Sequence, residues 1–145
     1  MTGYSKSRHT IYHHRYHIVW ITKYRYAVLT HAIKKRVRDL IAQTSEEMNV
    51  TIHNGVVSKD HVHMFVEIPP HATVSEFVKK AKGRSSRKIQ QEFPEIKKRY
   101  WGRHFWARGY FSATSGNITD EMINEYIDSH VDASKPDSIR KIQLE

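Results

Sequence analysis

The stretch Asp60-His61-Val62-His63-Met64-Phe65-Val66-Glu67-Ile68 decides the fold of this chain. Aliphatic or methionine side chains occupy every second position from Val62 to Ile68, and His61 and His63 alternate with them. Because side chains alternate between the two faces of a β-strand, this pattern predicts a strand whose apolar face meets a core. Both imidazoles are then expected side by side on the opposite face.

The two histidines have two interpretations. Neutral imidazole nitrogen is a good ligand for divalent metals, and two imidazoles on one face of a strand can share an ion. The same spacing also fits two ordinary histidines that face solvent. A short motif needs its structural context, so the pair alone leaves both interpretations open.

The composition is that of one globular domain, which we place at residues 1–145, with an N-terminal arm at 1–14 and a C-terminal tail at 134–145. The chain has no cysteine. Disulfide scaffolds, cysteine-ligated zinc and a thiol nucleophile are therefore excluded. No stretch resembles a signal peptide or a membrane span, so we expect no membrane partner and a cytoplasmic location.

Positive charge is concentrated in residues 79–108, which contain eleven Lys or Arg and only two acids. The whole chain carries +9. Such an uneven distribution indicates a polyanionic partner, most simply nucleic acid, rather than a solvated helix face. Aromatic residues accompany the cations at 23–25 and 95–104, a mixture that suits unpaired bases but also an ordinary surface. The candidate DNA-contacting residues are Lys23, Arg25, Lys79, Lys82, Arg84, Arg87 and Arg103.

The order of elements follows from hydrophobic periodicity and from helix and turn signals. We predict strands at 15–22, 50–57 and 60–68, strand pieces at 105–107 and 110–114, and a turn at 116–117. Helices are predicted at 31–48, with Thr30 as N-cap, from Thr73 to about residue 91, and from Thr119 onwards. This order predicts an α+β fold, the ferredoxin-like or RRM-like β-α-β-β-α-β antiparallel sheet, with an additional C-terminal helix. The histidine face is then the sheet face that the first two helices leave open.

The additional helix contains Tyr126 and His130, four residues apart and therefore on the same side. A tyrosine can act as a nucleophile, and a histidine one turn away could join His61 and His63 around a metal. The alternative is a core tyrosine followed by a surface histidine near the helix C-terminus, where positive charge is favoured. Spacing does not decide between them.

Taken together, these motifs resemble the TnpA-type transposases, the small single-tyrosine class of the His-hydrophobic-His (HUH) nuclease superfamily. The resemblance rests on 23–25 after the first strand, the 60–63 motif, Gly109-Tyr110-Phe111 with Thr114 and Gly116, and the helix with Tyr126-Ile127. It extends from about residue 10 to residue 132, and the ordered combination is more specific than any single motif.

The resemblance implies a DNA transposase that cleaves and rejoins single-stranded DNA at insertion-element ends through a 5′-phosphotyrosine intermediate. Tyr126 is then the nucleophile, and His61, His63 and His130 are ligands of a divalent metal, Mg²⁺ or Mn²⁺. Many relatives carry a carboxamide where this chain has His130, which can shift the metal preference. Implied partners are single-stranded and hairpin DNA and a second copy of the chain, in a homodimer with active sites shared between subunits.

Two other functions fit parts of the pattern. One is a replication-initiator or relaxase-type HUH nuclease, which shares the paired histidines. The other is a non-catalytic regulator of the same ancestry that binds single-stranded or hairpin DNA and has no need of Tyr126. Formation of a covalent protein–DNA adduct distinguishes the enzyme from the regulator.

Overall fold

The computed structural model describes residues 5–6, 11–12, 14–114 and 119–130. The strands are β1 Ser5–Lys6, β2 Ile11–Tyr12, β3 Arg15–Ile21, β4 Thr51–Val57, β5 His61–Glu67 and β6 Phe111–Thr114. The helices are α1 His31–Glu47, α2 Val74–Glu92, α3 Pro94–Arg99 and α4 Asp120–Asp128. None of the helices within the described residues is long and apolar enough to cross a bilayer.

The four longer strands form one antiparallel sheet in the order β4-β5-β3-β6. With α1 between β3 and β4, and α2 between β5 and β6, this is the predicted ferredoxin-like arrangement. The backbones of β1 and β2, inside the region expected to be an arm, pair separately as a short antiparallel ribbon. The α+β fold class is therefore confirmed.

The main core lies between the sheet and helices α1 and α2. In β5 the burial alternates along the strand as the sequence predicted, with Val62, Met64 and Val66 inside. From the neighbouring strand, Ile18 and Trp20 enter the same cluster. The histidine face of β5 consequently points away from these two helices.

Helix α2 begins with the predicted cap, because the Thr73 hydroxyl accepts a hydrogen bond from the Glu76 backbone N–H at 3.0 Å. Thr30 occupies the cap position of α1, but its side chain makes no cap hydrogen bond. Pro94 ends α2 and also begins α3, which is consistent with the preference of proline for a first helical turn.

The segment expected as a strand piece at 105–107 contributes only one isolated bridge, between Trp106 and Thr22. Phe105 and Trp106 are buried, and the Trp106 Nε1–H donates to the Ser85 hydroxyl at 2.8 Å. The segment is therefore held both by α2 and by the end of β3, where the Ala107 backbone N–H donates to the Ile21 carbonyl oxygen at 2.9 Å. The expected turn at 116–117 and the tail at 134–145 lie outside the described residues.

Helix α4 packs on the opposite face of the sheet from α1 and α2. Its start is capped by Thr119, whose hydroxyl accepts from the Met122 backbone N–H at 3.2 Å. Ile123 and Ile127 bury themselves against Val19 and Ile21 of β3. This second, smaller cluster brings the tyrosine-bearing helix to the same face as the paired histidines.

Candidate active site on the second sheet face

The site is built on two central antiparallel strands whose residues pair directly across the sheet. Ile21 is opposite His61, Val19 is opposite His63, and His17 is opposite Phe65. Directly paired residues point to the same face, so both imidazoles, His17 and the contact surface of α4 share one side of the sheet. The sequence-predicted pairing of His61 with His63 on one face is thus present in the structure.

Asp60 holds the His61 ring in one orientation. Its Oδ1 lies 2.8 Å from His61 Nδ1, and its Oδ2 accepts from Arg25 Nε at 3.3 Å. The contact with His61, assisted by Arg25, keeps the pKa of the buried Asp60 carboxyl below its ordinary value. An ionised acceptor at Nδ1 directs the ring proton there and the lone pair to Nε2, which is how a carboxylate prepares a histidine for metal binding.

His17 is a site residue that sequence reasoning missed. Its Nδ1 lies 3.2 Å from His63 Nε2, and its ring stacks on Phe65 at 4.7 Å. Burial lowers the pKa of both His17 and His63, and the neighbouring imidazoles lower that of His63 further. The two rings are therefore held neutral, the form in which imidazole ligates a metal.

These shifts predict a pH dependence of stability in the absence of metal. A histidine whose folded pKa is depressed contributes stability above its unfolded pKa of 6.5 that is lost as the pH falls through the folded pKa. We expect the thermal midpoint, measured with a chelator present, to decrease as the pH falls below 6.5. His17→Gln should reduce this dependence, whereas His71→Gln, which removes an exposed loop imidazole, should not. If the thermal midpoint of the His17 variant fell with pH as steeply as that of the parent, the prediction would be contradicted.

Helix α4 places Tyr126 and His130 next to each other. Their rings are 4.7 Å apart in an edge-on arrangement, and His130 Nδ1 lies 2.9 Å from the Tyr126 carbonyl oxygen. The Tyr126 hydroxyl is buried, with no hydrogen-bond partner among the residues that the structure describes. Burial raises the pKa of Tyr126, so the phenol stays protonated in this arrangement.

The structure does not bring all three predicted ligands together. Within the described ranges, no group of three or more His, Asp or Glu side chains is placed to hold a metal. His130 therefore does not form such a group with His61 and His63. Asp120, at the N-terminal end of α4, is nevertheless close enough to His63 for its charge to oppose part of the lowering of the His63 pKa.

Three of the seven candidate DNA-contacting cations form side-chain hydrogen bonds or ion pairs within the protein. Arg25 contacts Asp60, as described, and also lies 3.9 Å from Asp128 of α4. Lys82 donates from Nζ to the carbonyl oxygens of Ala107 and Gly109 at 2.7 and 2.8 Å, and burial lowers its pKa. Arg84 contacts Glu47 of α1. In this structure these three side chains join elements of the fold to one another.

The other four candidate cations border open surface. Lys23, Lys79 and Arg103 line a groove of about 1020 Å³ between α2 and the segment before β6. Arg87 and Arg103 border a second groove along α2. These four cations thus border two grooves beside α2.

The sequence and the fold match known transposases. The family model described as "Transposase IS200 like" matches residues 10–130. The ISDra2 transposase TnpA of Deinococcus radiodurans is 30% identical over 127 residues, which are 88% of this chain and 91% of that protein. The transposase for insertion sequence element IS200 of Salmonella typhimurium is 35% identical over 127 residues, 88% and 83% of the two chains.

Solved structures agree. The crystal structure of a putative transposase from Deinococcus radiodurans has a TM-score of 0.79 at 30% identity, covering 88% of this chain and 98% of that one. A REP-associated tyrosine transposase bound to a REP hairpin has a TM-score of 0.55 at 14% identity, covering 86% and 68%, which shows a shared fold.

The class of protein that the fold and these matches define is a DNA transposase. Within that class, the chain belongs to the IS200-like family and is of the TnpA type.

Proposed function

We propose that this transposase cleaves and rejoins single-stranded DNA at insertion-element ends, with Tyr126 as the nucleophile and a divalent metal held by His61 and His63. The observation that carries the proposal is the pair of imidazoles, His61 held by Asp60 and His63 held by His17, on the sheet face that the tyrosine helix covers. A structural role alone would not require this network of ring contacts around two half-exposed histidines.

Two imidazole ligands, those of His61 and His63, could bind one Mn²⁺ or Mg²⁺ ion. His61 offers Nε2, because Asp60 occupies Nδ1, and neutral His63 offers Nδ1 when its Nε2–H donates to His17 Nδ1. Such an ion, when bound, polarises a phosphate oxygen and stabilises the charge that develops on it. Imidazole suits manganese better than magnesium, so we expect Mn²⁺ to be effective. His130 would complete the set only after α4 changes its position.

Tyr126 supplies the attacking atom. The phenol gives up its proton as its oxygen bonds to the scissile phosphorus, and the 3′ oxygen takes up a proton as its bond to phosphorus breaks, leaving a 5′-phosphotyrosine and a free 3′-hydroxyl. One phosphodiester replaces another, so a 3′-hydroxyl can later reverse the step without ATP. The hydroxyl must leave its buried position before it can react.

The packing of α4 supports such a movement. Only Ile123 and Ile127 of this nine-residue helix are buried, against Val19 and Ile21. A helix of this length is marginal in isolation, so it must dock on some apolar surface. We infer that α4 exchanges between this surface and the corresponding surface of a second copy, giving a homodimer with shared sites.

The DNA partner follows from charge and from a relative. The same fold occurs in a tyrosine transposase bound to a REP hairpin. Here the +9 segment at 79–108 borders the groove that contains Lys79 and Arg103. We propose that hairpin DNA lies in this groove beside α2. Its single-stranded extension then runs to the sheet face that carries His61 and His63.

This placement predicts a salt-dependent affinity for hairpin DNA. Each phosphate contact that is lost should reduce the slope of log affinity against log salt by roughly 0.7 to 0.9. We expect Lys79→Gln and Arg103→Gln each to reduce the slope by about this amount, measured by fluorescence anisotropy. Lys35→Gln, an exposed cation on α1 outside the segment, is the matched control. Equal slopes in all four proteins would count against the proposed DNA path.

The proposed activity itself is tested by incubating the protein with a library of labelled single-stranded hairpin DNAs and Mn²⁺. Denaturing electrophoresis should then resolve a covalent protein–DNA adduct. Specific hairpin binding without any adduct, across the library and both metals, would identify the chain as a non-catalytic regulator instead.

A further inference from the structure

A cleft lined by aromatic and basic side chains lies beside the turn that follows β3. It has a volume of about 530 Å³. Its lining consists of four aromatic residues and three cations, with no acid: Tyr24, Tyr26, Tyr100, Trp101, Lys23, Arg99 and Arg103. We call it the aromatic cleft. No residue in the paired-histidine site belongs to it.

Two large aromatic side chains of the aromatic cleft are exposed to solvent. Trp101 is 89% exposed and Tyr24 is 51% exposed, whereas Trp20 and Trp106 are buried. Burying a flat apolar ring is favourable, so two exposed rings around one concavity indicate a surface that a ligand covers. The three cations around these rings favour a ligand that combines a flat ring with negative charge.

The backbone around the aromatic cleft is strained. Tyr24, Arg25 and Trp101 have φ values of +63°, +56° and +58°, three of the four positive values at non-glycine residues in the described part of the chain. Bulky side chains rarely adopt this conformation, and such strain concentrates at functional sites. The strained residues are those that present the exposed rings and, at Arg25, the side chain that contacts Asp60.

The aromatic cleft is also preformed. Tyr100 is buried and donates from its hydroxyl to the Lys23 carbonyl oxygen at 3.2 Å, and the Lys23 backbone N–H donates to the Phe105 carbonyl at 2.6 Å. The Arg99 guanidinium lies over the Tyr26 ring at 4.0 Å. These contacts join the turn at 23–25 to the segment at 100–105, so little ordering is required when a ligand enters.

We propose that the aromatic cleft binds one unpaired nucleobase of single-stranded DNA, stacked on Tyr24 and Trp101, while Lys23 and Arg103 contact the flanking phosphates. The inference rests on the proposed function in taking single-stranded DNA as the polyanion. It adds a subsite that the chemistry at Tyr126 does not require. Arg25 of the same turn contacts Asp60, which contacts His61, so side-chain contacts join the turn that borders the cleft to the paired-histidine site.

The test compares a thymidine oligonucleotide of about eight nucleotides with an abasic oligonucleotide that has the same phosphates. Stacking on an aromatic side chain is favourable for any base, so thymidine is a suitable probe. We expect the parent protein to bind the thymidine strand about tenfold more tightly than the abasic strand, which has no base to stack. Trp101→Ala and Tyr24→Ala should lose most of this preference and keep the affinity for the abasic strand. Trp101→Phe, the matched control, should retain most of the preference.

Tryptophan fluorescence provides a second measurement. The thymidine strand should quench the exposed Trp101, and the abasic strand should not. The quenching should be absent in Trp101→Phe although that variant still binds. Thermal midpoints establish that the variants are folded, which the exposure of both side chains leads us to expect.

Each of the following results for Trp101→Ala would overturn the inference. Trp101→Ala could bind both strands like the parent, or it could lose affinity for both equally, which would assign the ring no base contact. It could also leave DNA binding unchanged but alter the sedimentation coefficient, which would assign the cleft to a protein partner. A parent that forms the hairpin adduct but shows no base preference refutes only the cleft, whereas base-dependent binding without an adduct refutes only the proposed strand-transfer activity.

Discussion

Replacing Tyr126 with phenylalanine is expected to abolish formation of the covalent protein–DNA adduct while leaving hairpin binding at the level of the parent. The substitution removes one oxygen, and no other atom of the side chain can replace it in bonding to phosphorus. The ring contacts with Phe111 at 5.6 Å and with His130 at 4.7 Å are retained. The adduct is measured by denaturing electrophoresis and the binding by anisotropy.

The same variant should not be destabilised. The Tyr126 hydroxyl is buried without a hydrogen-bond partner among the described residues, and an unsatisfied buried polar group costs free energy. We therefore expect the free energy of unfolding to be unchanged or higher by roughly 1 kcal/mol. Tyr110→Phe, on the segment before β6, is the matched control and should retain the adduct. An adduct formed by the Tyr126 variant would transfer the nucleophile to another tyrosine.

Replacing either His61 or His63 with alanine is the second large effect. Each change removes a proposed metal ligand, and we expect cleavage to fall by at least about a hundredfold, beyond the 10- to 100-fold typical of outer-sphere partners. Both side chains lie on the face away from the main core, so the fold and hairpin binding should persist. The loss of cleavage is measured with a labelled hairpin, and the loss of metal binding is measured by calorimetric titration with Mn²⁺.

The neighbouring histidines should behave differently. His17→Gln removes a positioning contact to His63, so we expect a metal affinity about 10- to 100-fold lower and activity that high Mn²⁺ partly restores. His130→Ala should also retain activity that responds to added Mn²⁺, because two ligands remain. His71→Ala, in the exposed loop before α2, serves as control. Full cleavage by the His61 or His63 variant would refute the ligand assignment.

The sheet and its helices could be predicted because local patterns determined them. In β5 the alternation of apolar residues with His61 and His63 fixed which face meets the core, since the side-chain period of a strand is two. The Thr73 cap marked the start of α2 in the same local way. Each of these features depends on residues only a few positions apart.

His17 could not be recognised by the same reasoning. From Ile18 to Ile21 its strand is continuously apolar, because Ile18 and Trp20 face the main core while Val19 and Ile21 are covered by α4. A strand that is buried on both faces has no alternation to read. The contact between His17 and His63 depends on the register of β3 with β5, which the sequence of either strand alone does not specify.

The position of α4 likewise could not be predicted from the sequence. Its apolar residues Ile123 and Ile127 predict a docked helix, but any complementary surface could receive them, in this chain or in a second copy. The apolar stripe therefore predicted a helix carrying Tyr126 and His130 without locating either residue relative to His61 and His63. That His130 does not form one group with His61 and His63 among the described residues follows from this docking.

The most direct measurement of the central claim is mass spectrometry of the protein after reaction with an active hairpin and Mn²⁺. Trypsin should release residues 109–140 as one peptide, since Lys135 precedes a proline, and this peptide contains only Tyr110 and Tyr126. After nuclease digestion, we predict a nucleotide attached through its 5′-phosphate to Tyr126. Attachment at Tyr110 or at any other residue would contradict the account.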